Sequence, residues 1–143
     1  MSHLLLISWL ILPGIKSGDF NQGLDARLVT PENAKLLAAC RWIRFIRFSC
    51  DTSAMLEPIR RAVSLIRETG FKREIFCYML VQDVQEAEQR LHALVDLGVT
   101  PFAQPYRDFS AGSIPTLEQR RFASFVNVKG GKLCRKISFK EYK

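Results

Sequence analysis

The sequence predicts an α/β protein with parallel strands, and two observations favour this class. After Gly18, segments suited to strands alternate with helix-like segments in units of about 25 to 30 residues. Each helix-like segment is long enough to return the chain to the same end of a sheet, so successive strands run parallel. The stretch "EIFCYML" is almost continuously apolar, which is typical of a strand covered on both faces.

The strands are predicted at 20–29, 43–50, 74–81 and 99–104. The first is followed by a helix, because Thr30 is a capping residue and Pro31 suits the first helical position. Apolar residues at helical spacing predict three further helices, at 53–69, 84–97 and 116–128. The first two of these stop at Gly70 and Gly98. Within 84–97, Glu86 and Arg90 stand four residues apart in a favourable order, which predicts a solvent-facing side.

The length and composition are those of one folded domain. The chain has 143 residues, of which 48% are hydrophobic and 24% are charged, unlike a disordered chain. Residues 19–128 are predicted to form the domain, between an apolar segment at 1–18 and a basic tail at 129–143. The apolar segment is shorter than the roughly 20 residues that cross a bilayer, and it lacks the features of a secretory signal. We therefore expect a cytoplasmic protein that does not associate with a membrane.

The cysteines do not form a recognisable motif. They are Cys40, Cys50, Cys77 and Cys134, far apart and without a CxxC pair or a histidine cluster. Zinc and redox motifs are therefore not predicted, and the four side chains are expected to be small buried hydrophobic groups.

Polar residues occupy the first predicted strand, where a buried strand normally avoids them: Asn21, Gln22, Asp25 and Arg27. In a doubly wound sheet each unpaired group would cost about 1–3 kcal/mol. In a barrel, or part of one, the same groups line a cavity at the carboxyl ends of the strands. Gly23 fits this interpretation, because glycine in a strand often marks the close approach of another backbone or a ligand. Alternatively, Asp25 and Arg27 pair with each other and Asn21 belongs to a turn.

A further carboxylate lies at the end of the second predicted strand. The stretch "IRFIRFSCD" ends with Asp51, where the strand should give way to a loop. Asp51 is therefore a second candidate for the cavity. Its alternative role is to start the following helix, since aspartate is common at that position.

The stretches "FNQGLDARLVT", "IRFIRFSCD", "CYMLV" and "EAEQRLHALVDLGVTPFAQPYR" together resemble the latter half of a radical S-adenosylmethionine protein. The resemblance covers residues 19–143 and implies a partial (β/α) barrel, half of a six-unit TIM-type barrel, with this chain supplying the units from about the fourth onward. It implies that S-adenosylmethionine contacts Gln22 and Arg27, with the Arg27 guanidinium on the cofactor carboxylate. It further implies that Asn21 and Asp25 form hydrogen bonds with hydroxyl groups or support Arg27. Asp51 would lie at the neighbouring strand end, and residues 78–81 would provide an apolar surface against the adenine.

The chain departs from that family at the iron-sulfur cluster. The family activity is radical catalysis that depends on S-adenosylmethionine and a 4Fe-4S cluster, which is held by a CxxxCxxC loop. No such loop exists in this chain. The sequence therefore leaves open whether the chain is an enzyme, and we expect no catalysis by it alone. A half-barrel exposes strand edges, so we expect either a separate chain that supplies the cluster-binding half or self-association.

A basic and aromatic segment predicts the alternative function, a nucleic-acid or nucleotide-binding module. The formal net charge of +7 favours polyanions. Arginines alternate with rings that are suited to stacking on bases, in the order Arg41, Trp42, Arg44, Phe45, Arg47 and Phe48. These aromatic residues could equally pack in the core, with the basic residues as solvated surface.

Overall fold

The structure is a computed structural model that describes residues 23–42 and 45–142. Within these residues the sheet has three strands: β1 (Ile46–Ser49), β2 (Ile75–Val81) and β3 (Thr100–Pro105). All pairs are parallel and the strands are adjacent in chain order. Beyond β1, an isolated parallel bridge joins Leu24 to Phe48. The predicted α/β class with parallel strands is therefore confirmed.

Four helices precede, separate or follow the strands in the described residues: α1 (Pro31–Ala39), α2 (Leu56–Glu68), α3 (Val84–Asp96) and α4 (Leu117–Asn127). Their ends follow local chemistry. Thr30 and Asn33 form a reciprocal capping box at the start of α1. Gly70 and Gly98 adopt positive φ angles of 88° and 73° just after α2 and α3, as the predicted stops require.

The helices form one layer against one face of the sheet. Each helix contacts its neighbour in chain order, as expected when right-handed crossovers join strands whose order never reverses. In β2 the residues on that face, Ile75, Cys77, Met79 and Val81, are fully buried. The alternate residues Phe76, Tyr78 and Leu80 are only half-buried. The expectation from "EIFCYML" of two equally covered faces was therefore wrong.

The predicted first strand is also wrong over its described part. Only Leu24 pairs with β1, and a short 3-10 helix follows at Ala26–Leu28. The Asp25 carboxylate accepts a hydrogen bond from the Arg27 backbone N–H at 3.0 Å. This local bond competes with a strand ladder, which explains why the strand stops. Residues 20–22 lie outside the described residues.

The basic C-terminal segment folds back on the helices. Phe139 packs edge-on against Phe122 of α4 with ring centroids 5.1 Å apart. Tyr142 packs on Phe125 at 5.4 Å, and its hydroxyl lies 3.1 Å from Ser124 Oγ. The basic side chains Lys132, Arg135, Lys136 and Lys140 are exposed. The apolar residues between them therefore join this segment to the core cluster.

Candidate functional site

The predicted site residues that the structure describes meet in one cleft. The cleft has a volume of about 240 Å³ and lies at the carboxyl end of β1. Its lining residues are Gly23, Leu24, Asp25, Arg27, Ser49, Asp51 and Met55. Asp25, Arg27 and Asp51 are thus brought together from two separate segments. Asn21 and Gln22 lie outside the described residues.

Gly23 allows these two segments to approach. A Cβ atom at Gly23 would lie 2.2 Å from Ser49 Oγ and 2.9 Å from the carbonyl carbon of Phe48. Real side chains do not tolerate such contacts, so the position requires glycine. The close approach inferred from the sequence is present, and the approaching group is the backbone of β1.

Asp25 and Arg27 form a forked ion pair on the rim of the cleft. Arg27 Nε donates to Asp25 Oδ1 at 2.9 Å, and Nη2 donates to Oδ2 at 2.7 Å. The Arg27 side chain is 66% exposed, whereas that of Asp25 is 26% exposed. The hydrogen bond that Arg27 donates to Asp25, and then the negative charge of Asp25, raise the pKa of Arg27. The mutual pair that was the alternative to a ligand site therefore exists, but a cavity lies beside it.

Asp51 connects the ends of two strands. Its Oδ1 accepts a hydrogen bond from the Leu80 backbone N–H of β2 at 3.2 Å. The cap position of the next 3-10 turn belongs to Thr52, whose side chain makes no capping bond. Asp51 therefore does not start the following helix. Its Oδ2 makes no hydrogen bond to a residue in the described ranges, and the side chain is exposed at the cleft.

The charges of the cleft favour a ligand group that carries positive charge. Among the described residues, two carboxylates and one guanidinium line it, and the sum of their charges is −1. The paired guanidinium still presents Nη1, which has no partner among the described residues. The arrangement can therefore accept a cation at Asp51 and donate to an anionic group at Arg27.

A buried arginine supports the strand ends beneath this cleft. Arg90 of α3 is only 1% exposed, and it donates from Nε to Glu86 Oε1 at 2.7 Å and from Nη2 to the Leu80 carbonyl at 2.7 Å. Its Nη1 donates to the Cys50 carbonyl, and Ser53 Oγ donates to Glu86 Oε1 at 2.7 Å. The prediction that Glu86 and Arg90 mark a solvent-facing side was wrong for Arg90. Its long side chain reaches the strand carbonyls, which periodicity alone does not reveal.

The half-buried face of the sheet carries an aromatic cluster. The Phe45 and Phe76 rings stack at 5.4 Å, and Tyr78 and Phe102 meet edge-on at 6.0 Å. Of the residues expected to back an adenine, Tyr78 and Leu80 lie on this face. Met79 and Val81 are fully buried on the helix side. The expected backing was therefore wrong for those two residues, because side chains alternate along a strand.

Several described residues of the basic aromatic segment lie in the interior, where they cannot stack on bases. Trp42, Arg47 and Phe48 are buried, and Trp42 Nε1 donates to the Leu37 carbonyl at 2.7 Å. Arg41 is exposed, Phe45 is half-buried, and Arg44 lies outside the described residues. The core-packing interpretation is confirmed for Trp42 and Phe48.

The cysteines do not fit an iron-sulfur cluster. All four are free and buried, as predicted. Burial raises the pKa of the Cys50 thiol to about 11 and that of Cys77 well above its ordinary value. Thiolate ligands need the opposite environment. No group of three metal-ligating side chains occurs among residues 23–42 and 45–142.

In the part of the chain that the structure describes, no helix is long and apolar enough to span a bilayer. Comparisons of the chain with protein-family models, with curated proteins and with solved structures found no significant match.

Proposed function

We propose that this chain is the latter part of a radical-S-adenosylmethionine-like barrel, and that its cleft binds the methionyl end of S-adenosylmethionine. The observation that carries the proposal is the meeting of Asp25, Arg27 and Asp51 in one cleft at the carboxyl end of β1. Both the polar pattern of the sequence and the family resemblance indicate these three residues. Their convergence supports the proposal because the two segments are far apart in sequence.

The sheet topology is compatible with a barrel segment, as it is with one βαβαβ half of a doubly wound sheet. The strands follow chain order without reversal, and the helices form one layer. A doubly wound sheet reverses its strand order at a switch point, where its ligand binds. An arc of a (β/α) barrel keeps chain order and binds its ligand at the carboxyl ends of the strands. The candidate cleft lies at that edge.

The charge of the cofactor complements that of the cleft. S-adenosylmethionine carries a sulfonium, an ammonium and a carboxylate group, so its net charge is +1, against −1 for the lining residues. The ammonium suits Asp51 Oδ2, and the carboxylate suits the Nη1 edge of Arg27. The cleft is smaller than the roughly 300–1,000 Å³ of typical small-molecule sites. It therefore holds the methionyl end, and the nucleoside extends beyond it.

The chain by itself is proposed to be catalytically inactive. Reductive cleavage of this cofactor requires a 4Fe-4S cluster, and the four buried cysteines do not supply its ligands. A second chain with a CxxxCxxC loop is therefore the proposed partner. The residues of this chain contribute binding and orientation, and no chemical step is assigned to them.

Calorimetric titration of the purified chain with S-adenosylmethionine tests the proposal. Asp51→Asn should weaken binding about tenfold, because it removes a charged hydrogen-bond acceptor. Arg27→Ala should also weaken binding. S-adenosylhomocysteine, which lacks the sulfonium charge, should bind about twofold to fivefold more weakly.

Arg60→Ala is a matched control, because Arg60 forms a similar exposed pair with Glu57 of α2 and does not line the cleft. It should leave the affinity unchanged. Absence of binding by the unmodified chain, or equal affinity in the Arg27, Asp51 and Arg60 variants, would contradict the proposed site.

A further inference from the structure

A second and larger cleft lies at the carboxyl ends of β2 and β3. Its volume is about 660 Å³, within the range of small-ligand sites. Its lining residues are Leu80, Gln104, Pro105, Arg107, Phe109, Ile114, Pro115 and Arg120. It shares no lining residue with the first cleft. The Asp51 to Leu80 hydrogen bond nevertheless links the two clefts along the same edge of the sheet.

One wall of this cleft is a loop that its own hydrogen bonds hold in place. Asp108 Oδ1 accepts from Ser110 N at 3.0 Å, Ser110 Oγ at 2.6 Å and Ala111 N at 3.2 Å. Ser113 closes the loop by donating its N–H to the Asp108 carbonyl at 3.0 Å. The bonds from Ser110, the largest cause, and from Ala111 lower the pKa of Asp108. The loop is therefore ordered before any ligand binds, which reduces the entropy lost on binding.

Two charged side chains line this cleft in the part of the chain that the structure describes, and both are positive. Arg107 and Arg120 have no acidic partner among the described residues. The nearby Asp108 carboxylate is engaged within its own loop. Glu118, on the first turn of α4, lines a different cleft with Phe139 and Tyr142. The cleft therefore presents a charge of +2, opposite in sign to the first one.

Large apolar side chains stand beside these arginines. Phe109 is 82% exposed and Ile114 is 74% exposed, so both side chains are accessible to a ligand in this cleft. The Arg107 guanidinium lies over the Phe109 ring at 5.4 Å. This arrangement offers one flat apolar surface and two guanidinium groups. Guanidinium forks match phosphate oxygens, and exposed rings stack on planar groups.

We propose that this second cleft binds a small phosphorylated ligand with a planar aromatic group, such as a nucleoside monophosphate. Arg107 and Arg120 hold the phosphate, and Phe109 stacks on the planar group with Ile114 beside it. This site stands on its own residues and its own charge, so it does not depend on the first cleft binding S-adenosylmethionine.

Titration of the full chain with adenosine monophosphate, adenosine and inorganic phosphate tests the proposal. The monophosphate should bind one to one and more tightly than either fragment. Arg107→Gln and Arg120→Gln should each weaken its binding roughly 10- to 100-fold. Phe109→Ala should weaken the binding of the monophosphate about fivefold or more and leave the affinity for inorganic phosphate unchanged. All three side chains are on the surface or in a loop, so folding is retained.

Arg135→Gln is the charge-matched control, because Arg135 is exposed and does not line the cleft. It should change none of these affinities. Equal weakening by Arg135→Gln would mean that only the overall charge attracts the ligand, and it would overturn the site. Adenosine binding as tightly as the monophosphate would also overturn it, as would binding of single-stranded oligonucleotides with none of the mononucleotide.

Failure here is distinguishable from failure of the first cleft. Arg107→Gln should leave the affinity for S-adenosylmethionine unchanged, and Asp51→Asn should leave that for the monophosphate unchanged. A single variant that abolishes both affinities in a folded protein would contradict the separation of the two sites.

Discussion

Replacement of Arg90 by methionine should destabilise the fold severely, although the residue was expected at the surface. The guanidinium is buried and serves the carbonyl oxygens of Cys50 and Leu80 and the carboxylate of Glu86. Methionine retains much of the apolar stem and removes every one of these donors. The two strand ends that carry the first cleft would then lose their common support.

The size of the effect follows from which partners water can reach. The Glu86 side chain is 39% exposed, so water can solvate its carboxylate once Arg90 is gone. The loss of the Arg90–Glu86 interaction therefore contributes little to the destabilisation. The two strand carbonyls are less accessible, and each costs about 1–3 kcal/mol when unsatisfied. Removing a buried charge recovers part of its own desolvation. We therefore expect a loss of about 3 kcal/mol in the free energy of unfolding.

Urea unfolding followed by tryptophan fluorescence measures this loss, because Trp42 is buried in the core. Arg60→Met is the matched control, since Arg60 and Glu57 are both largely exposed. It should change the free energy of unfolding by about 0.5 kcal/mol or less. If Arg90→Met lost less than about 1 kcal/mol, or no more than Arg60→Met, the assigned role of the buried network would be refuted.

Three further predictions concern packing, thiol reactivity and pH. Gly23→Ala should lower the unfolding free energy by about 1–3 kcal/mol. Adding Ser49→Ala should restore only part of that loss, because the carbonyl carbon of Phe48 remains 2.9 Å from the new Cβ. Thermal unfolding of both variants measures the two changes, and full recovery in the double variant would contradict the prediction. Burial raises the pKa of the Cys50 thiol to about 11, and all four thiols are buried. A thiol reagent at about pH 8 should therefore label no cysteine in the folded protein and four cysteines in urea. Rapid labelling of the folded chain would contradict this prediction. The hydrogen bond that Arg90 donates is the largest cause that lowers the pKa of Glu86 below its ordinary 4.5, so the ionised carboxylate stabilises the fold above pH 4.5 and this stabilisation is lost as the pH falls through the folded pKa. The difference in unfolding free energy between the native and Glu86→Gln proteins should therefore shrink below pH 4.5. A difference that stays constant with pH would contradict the prediction.

The helices were predictable because their signals are local. The capping box at Thr30 and the glycines after α2 and α3 act over three or four residues. The predicted strands at 74–81 and 99–104 match Ile75–Val81 and Thr100–Pro105 closely, because the residue pattern of a strand is also a local signal. The segment before α1 was mispredicted because the Asp25 side chain accepts a hydrogen bond from the backbone N–H of Arg27. This local hydrogen bond competes with pairing to β1 and favours the 3-10 turn.

The site was predictable in its members but not in its geometry. The sequence indicated Asp25 and Arg27 as polar residues unsuited to a buried strand and Asp51 as a carboxylate at a strand end, and the structure places all three around one cavity. It left open whether Asp25 and Arg27 pair with each other, and it did not indicate that Asp51 bonds to β2. The second cleft was missed altogether, since its arginines and rings come from a loop and a helix whose separate patterns are ordinary.

By itself, the sequence determined the α/β class, the alternation of elements and the helix limits, because these depend on residues within a few positions of one another. Only the tertiary structure decided that Arg90 is buried beneath two strand ends and that Trp42 and Phe48 belong to the core. It also decided that the two clefts along one sheet edge carry opposite charge. Such features depend on strand register and on the direction of side chains from distant segments, and no local pattern encodes either.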